Sequence, residues 1–306
     1  MIPTLSLSGS FCHSDLDSLC EELAHLRRWP SDRPSLIDLS ELGALEPTTL
    51  AVLLAALRGL RTRQAWDPLA GFVAPEPGHA TRCLAPAALR ALVAEGVGHW
   101  QADEGEEPAI LGSEPFVGNR GVDRVLASLH SRLAAEIDWS VRSLRAFSAL
   151  VFELTENVIQ HSGDRGGVVV LEVLPASGRV SLAIADSGIG VQSSLVQNPE
   201  FVDIGDDLTA IKTAMGPRAT GEPGTAGGMG LYLARLLVRD NGGRFLLRSG
   251  DASSEECETV NDLTQLPYLY GTLISIELRA DRPLDYGRIE TSLGLPLRRR
   301  GLSAAT

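Results

Sequence analysis

Hydrophobic positions in the first part of the chain alternate between the periods of strands and helices. The short apolar runs that predict strands lie at 4–7, 36–39 and 71–74. Leucines recur three or four residues apart after Ser14 and after Pro47, which predicts helices beginning near these two residues. A further helix is predicted over 84–93. Because strands alternate with helices, residues 1–97 are predicted to form a small α/β domain.

The pattern changes in the second part of the chain. Residues 98–118 carry acidic side chains among Gly and Pro, which predicts a solvated acidic linker. Residues 119–280 are predicted to form a second α/β domain, and residues 281–306 a loosely held tail. Two helices that break near Asp138 are expected within 121–162. The strands predicted after them lie at 168–174, 179–185, 245–248 and 272–278, with a helix at 230–240.

Composition and charge restrict the functions of these domains. The chain has 306 residues and a net charge of −12, which argues against a broad nucleic-acid-binding surface. No apolar run reaches the ~20 residues needed to span a bilayer, and the N-terminus shows no secretory leader. The four cysteines are scattered without metal or redox spacing, which fits free thiols in a reducing compartment. The sequence therefore predicts a cytoplasmic protein that binds neither membranes nor nucleic acid.

The helix through residue 153 carries three polar side chains in a row. Glu153, Asn157 and His161 are each four residues apart and lie beside an apolar face. Asn157 can offer one oxygen to Mg²⁺, which usually takes one or two protein oxygens together with phosphates. Glu153 can polarise a water for attack on a γ-phosphate. His161 can approach a phosphate or cap the helix end, and a solvent-facing polar stripe is the alternative for the row.

A carboxylate and two glycines follow at the end of a predicted strand. Asp186 can accept a hydrogen bond from an exocyclic amine at the mouth of a sheet. Gly188 and Gly190 let the backbone approach a planar ring and adopt positive φ. The alternative is an ordinary Asp-Ser-Gly turn, which is common in proteins.

A second glycine turn opens the helix predicted at 230–240. Gly228, Met229, Gly230 and Leu231 bring bare backbone N–H groups to a helix N-terminus, where the helix dipole attracts anions. The spacing fits neither a Walker A loop nor a dinucleotide fingerprint. The alternative is a flexible loop that ends in a helix.

In this order, the segments 153–161, 186–190 and 228–231 resemble the N, G1 and G2 boxes of the GHKL ATPase superfamily (gyrase, heat-shock chaperone, histidine kinase, MutL). The resemblance covers roughly residues 120–280. It implies a Bergerat-type α/β sandwich, in which a mixed, mostly antiparallel sheet carries helices on one face. It also implies that ATP and Mg²⁺ are the cofactors.

The resemblance assigns roles to individual residues. Glu153 is implied to be the catalytic base, Asn157 the Mg²⁺ ligand, and Asp186 the residue that reads the adenine amino group. Thr272 is implied to hydrogen-bond adenine or a water beside it, with an ordinary strand threonine as the alternative.

The long Gly- and Pro-containing segment 191–227 is implied to be an ATP lid. Lys212 and Arg218 within it are candidates for γ-phosphate contacts. Simple surface solvation is the alternative for both side chains.

The run 141–161 is most similar to the anti-sigma-factor serine/threonine kinases of this superfamily, whose usual target is a serine on a small STAS domain. The N-terminal part is itself weakly similar to a STAS domain over residues 35–50. Pro47 and Thr48 occupy the two serine positions of that family, and Thr49 replaces its glycine. Thr48 is therefore a candidate phospho-acceptor, and a docking module without phosphorylation is the alternative.

Two hypotheses of function result. The first is a bacterial Mg·ATP-binding signalling protein that hydrolyses ATP or phosphorylates a protein Ser/Thr. The second is an ATP-gated binding switch, an anti-sigma-like protein or adaptor with little turnover. The expected partner is a regulatory protein of STAS or sigma-factor type. The sequence is also compatible with a homodimer. His130 lies on a predicted helix, but no acidic residue directly follows it, which disfavours a histidine phospho-acceptor.

Overall fold

The structure, a computed structural model, describes residues 4–25, 36–63, 72–73, 98–101, 110–163, 166–222, 228–257 and 260–294. Its N-terminal unit contains β1 (Thr4–Ser6), β2 (Gly9–Phe11), α1 (Leu16–Ala24), β3 (Leu36–Asp38), β4 (Leu42–Leu45), α2 (Pro47–Arg63) and β5 (Phe72–Val73). Strands β1, β3 and β5 form a parallel sheet, and β2 pairs with β4 in parallel. The N-terminal unit is thus an α/β layer.

A large antiparallel sheet forms the centre of the described chain. Its strands are β6 (Gly98–Gln101), β7 (Ile110–Val117), β8 (Gly166–Leu174), β9 (Arg179–Asp186), β10 (Arg244–Gly250), β11 (Ala252–Glu256), β12 (Val260–Leu263) and β13 (Leu269–Arg279). Their order across the sheet is β12-β11-β10-β13-β9-β8-β7-β6. Each neighbouring pair is antiparallel.

The helices of this second part are α3 (Gly118–Glu136), α4 (Val141–His161), α5 (Gly190–Leu195), α6 (Asp207–Ala214), α7 (Gly230–Asn241) and α8 (Tyr286–Ser292). Ser140 caps the N-terminus of helix α4, and its hydroxyl accepts the Ser143 N–H at 3.1 Å. Its apolar face, which includes Phe147, Leu150 and Leu154, is buried against α3, α7 and the sheet. Because the apolar face is packed against the core, the edge of α4 that carries Glu153, Asn157 and His161 is left outside it and is available to form a site.

The two faces of the sheet are buried against different partners. Alternate residues of β8 point to opposite faces, as in any strand. Val169 and Leu171 join the core beneath α3, α4 and α7. Val168 and Val170 join a second core with α1 and α2 of the N-terminal unit. The sheet is therefore a middle layer with helices on both faces.

Polar contacts join the N-terminal unit to the sheet. The hydroxyls of Thr48 on α2 and Ser275 on β13 lie 2.7 Å apart. The Arg58 guanidinium donates to the Gly166 carbonyl at 3.2 Å. A further ion pair joins the buried Arg248 of β10 to an aspartate of α1. These contacts fix how α1 and α2 lie across the sheet, because hydrogen bonds are directional.

The antiparallel sheet with helices that the sequence predicts is confirmed, as is the break between two helices near Asp138. The expectation of helices on one face holds for the C-terminal part alone, since α2 covers the other face. A STAS-like N-terminal unit stays a prediction. The helix predicted at 84–93 lies outside the described residues.

The segment interpreted as an acidic linker contains strands instead. Gly98–Gln101 and Ile110–Val117 are β6 and β7, and β7 pairs with β8 along its whole length. The acidic residues that suggested a linker fall within 102–109, outside the described part. Strand β7 forms because its pairing with β8 satisfies its backbone groups whatever its local composition.

The predicted tail is ordered in its first part. Helix α8 begins after Asp285, and Leu284, Tyr286 and Ile289 are buried in the core beneath α3, α4 and α7. The loose-tail interpretation is therefore wrong for residues 284–292, because these apolar side chains gain burial there. Residues 295–306 lie outside the described part. None of the described helices combines the length and apolar character that crossing a membrane requires.

Candidate functional site

A cavity of about 350 Å³ lies among α4, the N-terminus of α7, the end of β9 and the segment 190–222. Its size falls in the range of sites for small organic ligands. It is lined by Phe152, Glu153, Leu154, Glu156, Asn157, Val158, Gln160, His161, Ser162, Asp186, Gly190, Val191, Ser194, Leu195, Ala214, Ala219, Thr220, Gly221, Glu222, Gly228, Met229, Gly230, Leu231, Leu247, Thr272 and Ile274. The cavity thus takes residues from all three of the motif segments.

The polar row of α4 faces this cavity. Glu153, Asn157 and His161 are half-buried and line it, as their four-residue spacing predicts. Burial lowers the pKa of His161, and the nearby Glu222 carboxylate opposes this shift without outweighing it. A neutral imidazole is therefore favoured near neutral pH, and it can donate one N–H to a ligand.

The carboxyl group of Asp186 lines the cavity at the end of β9. Asp186 is the last residue of β9 and is 4% exposed, and its Oδ1 accepts the Gly188 N–H at 2.8 Å. It pairs in register with Thr272 of β13, which also lines the cavity. A carboxyl group and a hydroxyl thus lie side by side on neighbouring strands.

The glycines of the two turns serve different contacts. Gly188 packs against the last turn of α4, where a Cβ would overlap the Ser162 carbonyl, and it does not line the cavity. Gly190 has φ +80° and lines the cavity. Gly228 has φ +78°, and a Cβ there would lie 2.6 Å from the Ala219 nitrogen. Positive φ favours glycine at Gly190 and Gly228, and close approach of other backbone requires it at Gly188 and Gly228.

The N-terminus of α7 meets the polar row of α4. A Cβ on Gly230 would overlap Oε2 of Glu153, so the carboxylate lies directly against this glycine. Met229 and Leu231 on either side of Gly230 also line the cavity. The first N–H groups of a twelve-residue helix therefore lie beside Glu153, where they form an anion-attracting end.

Residues 219–222 close one side of the cavity. The Asn198 side chain donates to the Thr220 carbonyl at 2.9 Å, and a Cβ on Gly221 would overlap the Ser194 carbonyl. This part of the segment predicted as a lid is therefore attached to α5 and the turn after it. The charge that it contributes to the cavity is the Glu222 carboxylate.

The structure does not bring every predicted residue to the cavity. Lys212 on α6 and Arg218 in the following turn are exposed and are absent from the cavity lining. Arg218 has φ +65° in the turn that contacts Gly228. Thr48 lies beneath the other face of the sheet and is 6% exposed. Lys212 and Arg218 as phosphate contacts, and Thr48 as acceptor, stay predictions.

Sequence reasoning missed several residues of the cavity. Glu156 lines it three positions after Glu153, and helical spacing could have revealed it. Burial raises the pKa of Glu156, and the Glu153 carboxylate adds to that rise. Leu247 and Ile274, neighbours on paired strands, form an apolar floor. They were indistinguishable in sequence from other core positions of their strands.

The residues of the cavity fit a magnesium-bound nucleotide. Within the described residues, no group of three or more His, Cys, Asp or Glu side chains could hold a metal by itself. Mg²⁺ does not need such a group, because it uses one or two protein oxygens with phosphates and water. Lys and Arg are absent from the part of the cavity lining that the structure describes, so a cation and the α7 N-terminus would have to balance the phosphates.

Residues 144–282 match the family described as Histidine kinase-, DNA gyrase B-, and HSP90-like ATPase. Together with the antiparallel sheet and the cavity, this match makes that part of the chain a histidine kinase-like ATPase domain of the GHKL type. A domain of this class implies nucleotide binding.

The chain is also similar to an uncharacterized sensor-like histidine kinase of Rhizobium meliloti (strain 1021). The two are 27% identical over 145 residues, which are 47% of this chain and 25% of the relative. The similarity thus extends over about a quarter of the relative's length.

Proposed function

We propose that this protein binds Mg·ATP and acts in signalling, by hydrolysing ATP or by transferring its γ-phosphate to a Ser or Thr of a partner protein. One observation carries the proposal. Glu153, Asn157, Asp186 and Gly230, which come from separate segments, line a single cavity within a GHKL-type domain.

Each of these residues has a chemical part in the proposed reaction. Asp186 would accept a hydrogen bond from the adenine amino group, and Thr272 would bond the ring or a water beside it. Asn157 would hold Mg²⁺, which supplies charge neutralisation of the phosphates when bound. The backbone N–H groups at Gly230 would bind phosphate oxygens. Glu153 would take the proton of the attacking water or hydroxyl.

A second candidate function is an ATP-gated binding switch with little turnover. It is favoured by the position of Thr48, which is buried between α2 and the sheet. The docked N-terminal unit therefore cannot offer Thr48 to the cavity of its own chain. Under either function, we propose a regulatory protein of STAS or sigma-factor type as the partner.

Calorimetric titration with Mg·ATP, followed by phosphate-release and intact-mass measurements, tests both candidates. Binding with steady phosphate release, or with a mass increase of one phosphate on an added partner, supports the first. Binding without product over long incubation supports the switch. Absence of Mg·ATP binding contradicts both.

Gly230→Ala is expected to reduce turnover more than stability or affinity. The new methyl group would displace the Glu153 carboxylate, which is the flexible end of a side chain and can rotate away. Misplacing a catalytic group by about 1 Å can cost about 10²-fold in rate. Phosphate release by the variant should therefore fall by about that factor, while its melting temperature stays close to that of the wild type.

Gly205→Ala is the matched control, because a Cβ at Gly205 meets no atom within 4 Å. It should leave phosphate release unchanged. If Gly230→Ala is as active as Gly205→Ala, the contact with Glu153 has no part in turnover.

Thr48→Glu is expected to loosen the N-terminal unit from the sheet. It places a carboxylate where a buried hydroxyl faces Ser275, and an uncompensated buried charge costs about 3 kcal/mol or more. Hydrogen exchange in β9 should accelerate, and the melting temperature should fall. Thr48→Val is the control, since it loses only a hydrogen bond, worth about 1 kcal/mol. Equal effects of the two substitutions would show that α2 does not hold position 48 against the sheet.

A further inference from the structure

The hydroxyl of Ser249 joins three segments near Asp186, in the wall of the cavity. Ser249 is the penultimate residue of β10 and is 1% exposed. Its Oγ donates to the Gly271 carbonyl at 2.7 Å and accepts the Val191 N–H at 3.0 Å. Because Val191 lies in the first turn of α5, its N–H has no partner within that helix. Ser249 thus satisfies a backbone donor that belongs to the cavity wall.

The backbone around this hydroxyl has little free space. A Cβ on Gly190 would lie 2.8 Å from Ser249 Oγ, and one on Gly271 would overlap the Asp186 carbonyl. Gly190 and Gly271 have φ of +80° and +95°. The turn after Asp186 and the start of β13 are therefore packed against each other, with the Ser249 hydroxyl between them.

The Ser249 hydroxyl links the part of the cavity at Asp186 and Thr272 to the wall formed by residues 219–222. In register, Ser249 pairs with Thr272, the residue after Gly271. On its other side it holds the first turn of α5, whose Ser194 contacts the 219–222 segment. A shift of α5 away from β10 would therefore change the position of Gly190 and weaken the attachment of residues 219–222.

We propose that Ser249 is a positioning residue for the nucleotide site. Its two hydrogen bonds hold the turn after Asp186 and helix α5 against the start of β13. Asp186 and Thr272 are thereby placed so that both can contact the adenine ring. This inference rests on the proposed nucleotide binding. Nothing in the spacing of the three motif segments indicates it, because Ser249 lies between the second glycine turn and the last strand.

Ser249→Ala tests the proposal in the full chain. Affinity for Mg·ATP and for Mg·ADP should fall by the same factor, about tenfold. The two nucleotides should be affected equally because the lost hydrogen bonds lie near the proposed adenine site and not near the γ-phosphate. Hydrogen exchange of the peptide spanning 187–196 should accelerate in the nucleotide-free protein. Wild-type affinity, or unchanged exchange in this peptide, would overturn the proposal.

Two further variants separate positioning from general stability. Ser148→Ala removes a buried hydroxyl that bonds the Leu144 carbonyl within α4 at 3.0 Å, and it should leave nucleotide affinity and 187–196 exchange unchanged. An equal loss of affinity in this variant would overturn the proposal. Ser249→Thr keeps the hydroxyl and should retain affinity within about threefold. A loss as large as that of alanine would show that packing, not hydrogen bonding, matters at this position.

The wild-type protein supplies a test that does not depend on any variant folding. The Val191 amide should exchange slowly without nucleotide, since it is bonded to a buried hydroxyl. Rapid exchange of this amide would overturn the Ser249 proposal even if nucleotide binds. Failure of the wild type to bind Mg·ATP, with a protected Val191 amide, would instead contradict the proposed function.

Discussion

Asn157→Ala is expected to abolish magnesium-dependent nucleotide binding. Among the described residues that line the cavity there is no Lys or Arg. The lining carries four carboxyl groups, those of Glu153, Glu156, Asp186 and Glu222. A bound triphosphate would therefore need Mg²⁺ to offset its charge, and Asn157 is the neutral oxygen ligand that we propose for this ion. Calorimetric titration should give measurable heat with the wild type and none with the variant at the same Mg·ATP concentration.

Gln160→Ala is the matched control for the loss of an amide. Gln160 lies on the same helix and also lines the cavity, but it is exposed and bonds the Glu156 side chain at 3.3 Å. Its loss should change affinity by less than about threefold. Unchanged Mg·ATP affinity in Asn157→Ala would remove Asn157 as the metal ligand.

Glu153→Ala is expected to keep ATP binding and lose hydrolysis. A general base contributes roughly 10²–10⁴ in rate, so phosphate release should fall by that factor while Mg·ATP affinity remains. We expect no loss of affinity, because the variant removes a carboxylate beside the helix end that we propose to bind phosphate. Steady-state phosphate release and calorimetry measure the two quantities separately.

Glu156→Ala shows which carboxylate acts as base. Glu156 lines the same cavity three residues later, and its pKa is raised by burial and by Glu153. The variant should retain turnover if Glu153 is the base. A loss of turnover in Glu156→Ala, with normal turnover in Glu153→Ala, would reverse the assignment. A wild type that binds ATP but releases no phosphate would favour the binding switch.

Local sequence was sufficient to predict the polar row on α4. The four-residue spacing of Glu153, Asn157 and His161 requires only a regular helix, and the apolar positions beside them fix which edge is left out of the core. The structure places all three in one cavity. Asp186 and Gly230 were predictable on a different ground, because each lies where a regular element meets a turn and the two segments resemble the G1 and G2 boxes.

The contacts between the segment 191–227 and the cavity were less predictable. Lys212 and Arg218 are predicted to contact phosphate from their positive charge and their place in the segment 191–227, and the structure has neither in the cavity lining. The residues that close that side are Thr220, Gly221 and Glu222, which are attached to α5 by backbone contacts. Such contacts leave no distinctive pattern of side-chain types in the sequence, because a backbone carbonyl is common to every residue.

The sequence by itself determined the local elements and the order of the three motif segments, because helix and strand periodicity depend on neighbouring residues. Only the tertiary structure decided that α2 covers the second face of the sheet and that Ser249 joins α5 to β13. Thr48 meets Ser275 across 227 positions of sequence, and Ser249 meets Val191 across 58. Partners so far apart are selected by packing and by the burial of polar groups within the whole fold, which no local spacing encodes.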